Sequence, residues 1–289
     1  ILLVMLSAFM AVPLLIALYL HETGSLIAFA ETIAGTVILS STIIVALRKR
    51  RSEAISVRDG FLMVSLSWVL ASVMGAMPFY VSGCIPSFTD AFFETMSGFT
   101  TTGASILTDV ESLPMSMLFW RSLTHWLGGM GIVVLTVAIL PLMGIGGLQL
   151  IQAESPGPTV DRITPRIAET AKILWIIYIL FTALQTLLLV IGGMDLFDSL
   201  THAFGTMATG GFSTKNSSAG HYDSPYIEGV ITLFMLLAGI NFTLHYSMLT
   251  GRFKRLYRNT ELKSYLLIFA ASTAVVAFFL HGNTYASIG

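Results

Sequence analysis

Charge is what this sequence has least of. Asp, Glu, Lys and Arg make up 11% of its 289 residues, against roughly 25% in soluble domains. Hydrophobic types make up 55%. That scarcity excludes a water-solvated surface over most of the chain and makes lipid the main solvent. One membrane bundle is expected, where length alone would allow one or two soluble domains. The net charge of −1 leaves no bulk basic surface for nucleic acid, so no such partner is expected. The single cysteine, Cys84, excludes an intramolecular disulfide and a cysteine metal site. A catalytic set is also lacking. "HETG" at His21 has no second histidine of a zinc helix, and no Ser/His/Asp spacing stands out. The chain is therefore read as no enzyme, with no organic cofactor. Its first twenty residues lack a basic leading region and an evident small-residue cleavage site, so they read as a membrane span and not a signal peptide.

What is present is long apolar runs. Runs of about 18 residues or more mark membrane helices, and they fall near 1–20, 26–47, 60–80, 116–143, 172–192, 226–250 and 264–281. Basic residues orient them. All but two of the fifteen Lys and Arg lie in three groups: Arg48, Lys49, Arg50, Arg51 and Arg58; Arg162, Arg166 and Lys172; and Arg252, Lys254, Arg255, Arg258 and Lys263. The groups occupy alternate loops, which places those loops in the cytoplasm. Lys215 falls on the opposite side, with Arg121 near that end of its helix.

The two long external connections, 80–116 and 192–226, each hold a short apolar segment, 90–99 and 198–207. Ten helical residues rise about 15 Å, half of a hydrocarbon core of about 30 Å. Such a segment is either a surface helix or a re-entrant half-helix. Comparing the two copies favours the second. Shifting the chain by 108 residues lays "DAFFETMSGFTTTGAS" on "DSLTHAFGTMATGGFS", so that Asp90 meets Asp198, Thr101 meets Thr209, Gly103 meets Gly211 and Ser105 meets Ser213. Both copies enter from the same side, which makes a parallel internal repeat. Asp90 and Asp198 are expected as helix N-caps. Each short helix would end in a Thr/Gly stretch. Irregular backbone at membrane depth is allowed where it is buried or lines a watery cavity, and there it can turn carbonyl oxygens to a cation. The competing reading is a packed Gly-containing reversal with no ion.

Other residues have plain structural readings beside functional ones. The "GGMG" run, Gly128 to Gly131, follows His125 and Trp126 and suits close helix packing. "GIGG", Gly144 to Gly147, follows a membrane helix and reads as a linker. Arg121 is read as an interface snorkel or a structural ion pair, with a role near the pore entrance as the functional alternative, and Glu94 contributes negative potential or a structural hydrogen bond. Asn241 and His245 lie inside a span and are read as interhelical hydrogen-bond formers or functional groups. "PRIAETAK", Pro165 to Lys172, reads as a cytoplasmic helix start. Three classes remain: cation channel or transporter, intramembrane enzyme, and structural or regulatory membrane subunit. Two duplicated Thr/Gly loops favour the first.

Taken together, "DAFFETMSGFTTTGAS", "WLGGMGIVVLTVAILP", "SPGPTVDRITPRIAETAK", "FGTMATGGFST" and "NFTLHYSMLTGR" resemble the TrkH branch of the TrkH/KtrB superfamily of potassium transporters, over nearly the whole chain. The resemblance implies an all-α membrane protein of repeated helix–re-entrant pore helix–helix units around a central ion pore. Residues 1–47 would be two extra N-terminal helices, 60–143 the first pore unit, 172–250 the second, and 264–289 the start of a third. Two of the family's four pore loops fall within this sequence. It also implies a K⁺ filter of backbone carbonyls at Thr100, Thr101, Thr102 and Gly103 and at Ala208, Thr209, Gly210 and Gly211. K⁺ would be the transported ion, membrane lipid the surround, and the cell inner membrane the location. A homodimer and a cytosolic nucleotide-binding regulatory subunit of the TrkA type are implied as partners.

Overall fold

A computed structural model describes residues 2–47, 57–131 and 167–280. Among them every regular element is helical: α1 (Leu2–Tyr19), α2 (Thr23–Leu47), α3 (Val57–Val81), α4 (Phe88–Phe99), α5 (Met115–Gly129), α6 (Ile167–Ile191), α7 (Leu196–Met207), a 3₁₀ turn (Ser218–Tyr222), α8 (Pro225–Ala238), α9 (Phe242–Leu249), α10 (Phe253–Arg258) and α11 (Thr260–Leu280). The basic groups at 48–51 and at Arg162 and Arg166, the end of the 116–143 span, the "GIGG" linker and residues 281–289 lie outside the described residues.

Among the described residues, five helices are long and apolar enough to cross a membrane: Leu2–Tyr19, Thr23–Ala46, Val64–Val81, Lys172–Ile191 and Thr260–Leu280. They expose large apolar side chains such as Leu15, Ile38, Leu66 and Leu187, as lipid-facing helices must. Several of their hydroxyls are spent locally. Ser7 donates to the Leu3 carbonyl at 3.0 Å and Thr36 to that of Thr32 at 2.7 Å, the bonding back to the preceding turn that a hydroxyl finds within a helix.

The chain divides into two compact units, 1–238 and 239–289. The division falls where one helix was expected over 226–250. That expectation is corrected: α8 stops at Ala238 and α9 starts at Phe242, with Gly239 in the break. Glycine is a poor residue for a helix interior, and a hydropathy window passes over it.

Within the first unit the same packing occurs twice. Helix α3 packs on α4, which packs on α5; α6 packs on α7, which packs on α8. Helix α5 also packs on α7 and so joins the two copies. The core of the first copy is aromatic. Phe29, Phe99 and Trp120 meet edge to face, with ring centroids 6.3 and 6.4 Å apart, and the Trp120 indole N–H donates to the Gly75 carbonyl at 2.9 Å. A buried indole needs such a partner.

The N-terminal hairpin of α1 and α2 docks through Glu22. Pro114, the N-cap of α5, provides no side-chain cap. Glu22 takes that role from outside the helix, accepting from the backbone N–H of Met115 at 2.8 Å and of Ser116 at 3.2 Å, and from the Ser116 hydroxyl. A carboxylate suits the positive end of a helix. Glu22→Ala should therefore loosen the hairpin from α5, at a cost of about 1–3 kcal/mol for orphaned donors. A lower melting temperature in detergent, with faster proteolysis between α1 and α2, is the expected readout.

Candidate functional site: two matched helix ends

Helices α4 and α7 are twelve residues each. They sit between their flanking helices, with Ser97–Phe99 and Thr201–Met207 buried, and are not laid on the surface. Their caps correct the sequence expectation. Ser87 caps α4 by accepting from the Asp90 N–H at 3.4 Å, and Asp195 caps α7 by accepting from the Asp198 N–H at 3.0 Å. Asp90 and Asp198 stand three residues further in. The charge of Asp198 serves the outer loop: it accepts from Thr214 at 2.6 Å and Tyr222 at 2.7 Å, and pairs with Lys215 at 3.2 Å. Burial works against that charge, but the bonds from Thr214, Tyr222 and Lys215 prevail and hold the carboxyl down to about 2. Burial and the bond to Asp198 raise the Tyr222 phenol. Ser87→Ala and Asp195→Ala should each cost about 0.5–2 kcal/mol, seen as a lower melting temperature.

The far ends of the two helices are built alike. In the first, the N–H groups of Thr100, Thr101 and Thr102 donate back to the carbonyls of Met96, Gly98 and Ser97 at 2.8, 3.0 and 3.0 Å. In the second, Ala208, Thr209 and Gly210 donate to Phe204, Thr206 and Gly205 at 3.2, 2.9 and 3.0 Å. This is a Schellman termination, whose left-handed residue is usually glycine. Here it is threonine in both copies, Thr101 at φ 53° and Thr209 at φ 55°. Glycine follows two residues later, Gly103 at φ 76° and Gly211 at φ 87°. A β-branched residue in this conformation is an outlier, with a cost of about 1–2 kcal/mol. The same strained conformation thus recurs at matched positions of the two copies.

The hydrogen bonding treats the two kinds of backbone group differently. Gly211 also donates back, to Gly205 at 3.2 Å. Yet the carbonyls of residues 100–103 and 208–211 accept no hydrogen bond from the described residues. Thr100, Thr102, Thr209 and Gly211 are exposed, in contrast to the buried helices that carry them. The two segments also touch: the Gly210 carbonyl lies where a Cβ on Gly103 would be. The structure thus sets Gly103 of the first segment against Gly210 of the second, two strips whose carbonyls accept no hydrogen bond from the described residues.

Helix α5 carries both strips. Gly128 packs against the Phe99 carbonyl, and a Cβ on Gly129 would stand 2.6 Å from the Ala208 Cα, so the GGMG run is the small-residue packing surface expected. His125 is fully buried; its Nδ1 accepts from the Phe212 N–H at 3.4 Å, and its ring fills the place of a side chain at Gly210. Arg121 is buried too, which excludes the snorkel reading. Its Nε donates to Glu94 Oε1 at 2.7 Å, a second arm donates to the Ser213 carbonyl at 3.0 Å, and the guanidinium lies 3.6 Å from the Phe212 ring centroid. Glu94 in turn accepts from the Ser105 hydroxyl at 2.9 Å and the Ile106 N–H at 3.0 Å. Outside, Asn216 latches the loops, donating to Asp109 at 2.9 Å and to Glu111 at 2.9 Å and accepting from Val110 at 2.7 Å. No group of three or more His, Cys, Asp or Glu side chains placed to hold a metal ion occurs among the described residues.

Thr101→Gly and Thr209→Gly separate helix-end stability from the strips. Each should leave the melting temperature unchanged or slightly raised, because the left-handed strain of about 1–2 kcal/mol outweighs the entropic cost of glycine, about 0.5–1 kcal/mol. A melting temperature lowered by either variant would show that the threonines are unstrained.

A family profile described as TrkH, cation transport protein, matches residues 26–281. Trk system potassium uptake protein TrkH of Escherichia coli K12 is 46% identical over 268 residues, covering 92% of this chain and 55% of that protein. TrkH of Halomonas elongata is 41% identical and covers 95% and 57%. In the crystal structure of the potassium transporter TrkH from Vibrio parahaemolyticus, 37% identical, the match has a TM-score of 0.80 and covers 98% of this chain and 58% of that one. The chain spans a little over half the length of these relatives.

Proposed function

The chain belongs to the TrkH family of cation transport proteins, and from that membership we propose that it carries potassium uptake, its two strips forming half of a K⁺ filter. One observation supports this most: Thr100–Thr102 and Ala208–Gly211 turn their N–H groups back into the helices, and the carbonyls of Thr100–Gly103 and Ala208–Gly211 accept no hydrogen bond from the described residues. Carbonyl dipoles replace the hydration shell of the ion, and the negative end of each short helix favours a cation at the same place. Residues 60–143 and 172–250 are the two pore units of this reading, 264–289 the start of a third, and 1–47 a peripheral hairpin. The membrane is the cell inner membrane, the assembly a homodimer, and the regulator a cytosolic nucleotide-binding subunit of the TrkA type; these three follow the resemblance.

The test is Rb⁺ uptake in cells lacking other potassium uptake, normalised to membrane-inserted protein. Uptake suppressed by K⁺ and indifferent to an equal concentration of Na⁺ is expected. Equal suppression by both ions, or no uptake above the empty cells, would remove the potassium reading.

A further inference from the structure

The two copies hold their strips by the same bond made from different chemistry. Shifted by 108 residues, Glu94 corresponds to His202 and Ser105 to Ser213. Glu94 accepts from the Ser105 hydroxyl at 2.9 Å, and the His202 ring lies 2.9 Å from the Ser213 hydroxyl. In each case a residue midway along the short helix ties down the serine two places beyond the strip glycine. The histidine does this without a fixed charge, and its other nitrogen is bonded to the Asp198 carbonyl at 2.7 Å. The glutamate brings a negative charge into a site where its side chain is fully buried. Burying a lone carboxylate is costly, and a paired one is weak evidence for stability, since apolar residues of similar volume often serve as well.

The cation that answers Glu94 is not confined to the first copy. Arg121 divides its donors between Glu94 and the carbonyl of Ser213, and stacks on Phe212, the residue directly after Gly211. One buried side chain therefore touches the anchor of the first strip and the exit of the second. Helix α8, in the second copy, contains no Lys or Arg. The link is thus made once, across the repeat, and is not a feature of each unit.

We propose that Glu94 and Arg121 are positioning residues for ion selectivity: through Ser105 and Ser213 they set the spacing between the two carbonyl strips, without touching the ion. This rests on the filter reading above. The guanidinium geometry is what counts, because its fork reaches two acceptors at fixed separation, whereas an ammonium is a point donor.

Arg121→Lys keeps the charge beside Glu94 and gives up the fork. A second variant, Glu94→Gln with Arg121→Met, removes both charges together, so that neither is left buried alone. In Rb⁺ uptake with Na⁺ competition per inserted protein, each should lower the preference for K⁺ over Na⁺ about ten-fold, the equivalent of one charge-assisted hydrogen bond. Wild-type selectivity in both, whether inserted normally or only in a residual fraction, would make the pair a folding element and overturn the proposal. Gly103→Ser in the same assay reports on the filter itself. If it lowers selectivity while the pair variants do not, only this inference falls; if it too leaves selectivity unchanged, the filter reading falls and this inference with it.

Discussion

Gly103→Ser is expected to abolish most discrimination between K⁺ and Na⁺, and Gly211→Ser to weaken it less. Both glycines hold positive φ, 76° and 87°, so any side chain there carries the left-handed penalty of about 1–2 kcal/mol. Their surroundings differ. A Cβ on Gly103 would collide with the Gly210 carbonyl, whereas one on Gly211 would meet nothing within 4 Å. The first substitution therefore moves the backbone of both strips at once, adding an overpacking cost of about 1–3 kcal/mol. The second strains only its own residue. Selectivity should fall about a hundred-fold for Gly103→Ser and about ten-fold for Gly211→Ser, by the tenfold per 1.4 kcal/mol relation. Thr100→Ser alters a side chain and should stay near wild type. Rb⁺ uptake against Na⁺ competition, per inserted protein, ranks the three, and a Gly103 variant as selective as Thr100→Ser would contradict the steric argument.

Gly128→Val should cost the protein its fold more than its selectivity. The Phe99 carbonyl occupies the place of the missing Cβ at Gly128, and Phe99 ends the helix that carries the first strip. A branched side chain there must drive α5 off α4, for a loss of about 3 kcal/mol or more. Gly35 provides the control. It lies inside α2, exposed, with nothing within 4 Å of a built Cβ. Gly35→Ala should stabilise by about 0.5–1 kcal/mol through helix propensity alone. Melting temperature and the monodisperse fraction in detergent distinguish the two, and a Gly128 variant that melts with wild type would refute the close approach.

These effects were legible in the sequence to unequal degrees. Lipid-facing helices announce themselves by composition, and the two strips by a repeat that needs only alignment. The caps were displaced by three residues because Asp90 and Asp198 are identical between copies, whereas the true caps, Ser87 and Asp195, differ in type. The pattern of a capping residue three before an aspartate was present in both. The break after Ala238 was hidden because Gly239 and Asn241 sit inside an apolar window, where hydropathy averages them away. The Glu94–Arg121–Ser213 link had no local signal. Its members come from a half-helix, a full helix and the segment after another half-helix, and only the folded packing of α5 against both copies brings them together. The left-handed threonines were half visible: a Thr/Gly stretch was expected to end each short helix, while which residue crosses to positive φ depended on the Schellman bonds.

Anomalous scattering from crystals of the protein grown with Rb⁺ replacing K⁺ tests the central claim most directly. Density is predicted beside the carbonyls of Thr100–Gly103 and Ala208–Gly211, on the exposed side of both strips. Rb⁺ bound elsewhere in the protein, with none beside these carbonyls, would contradict it.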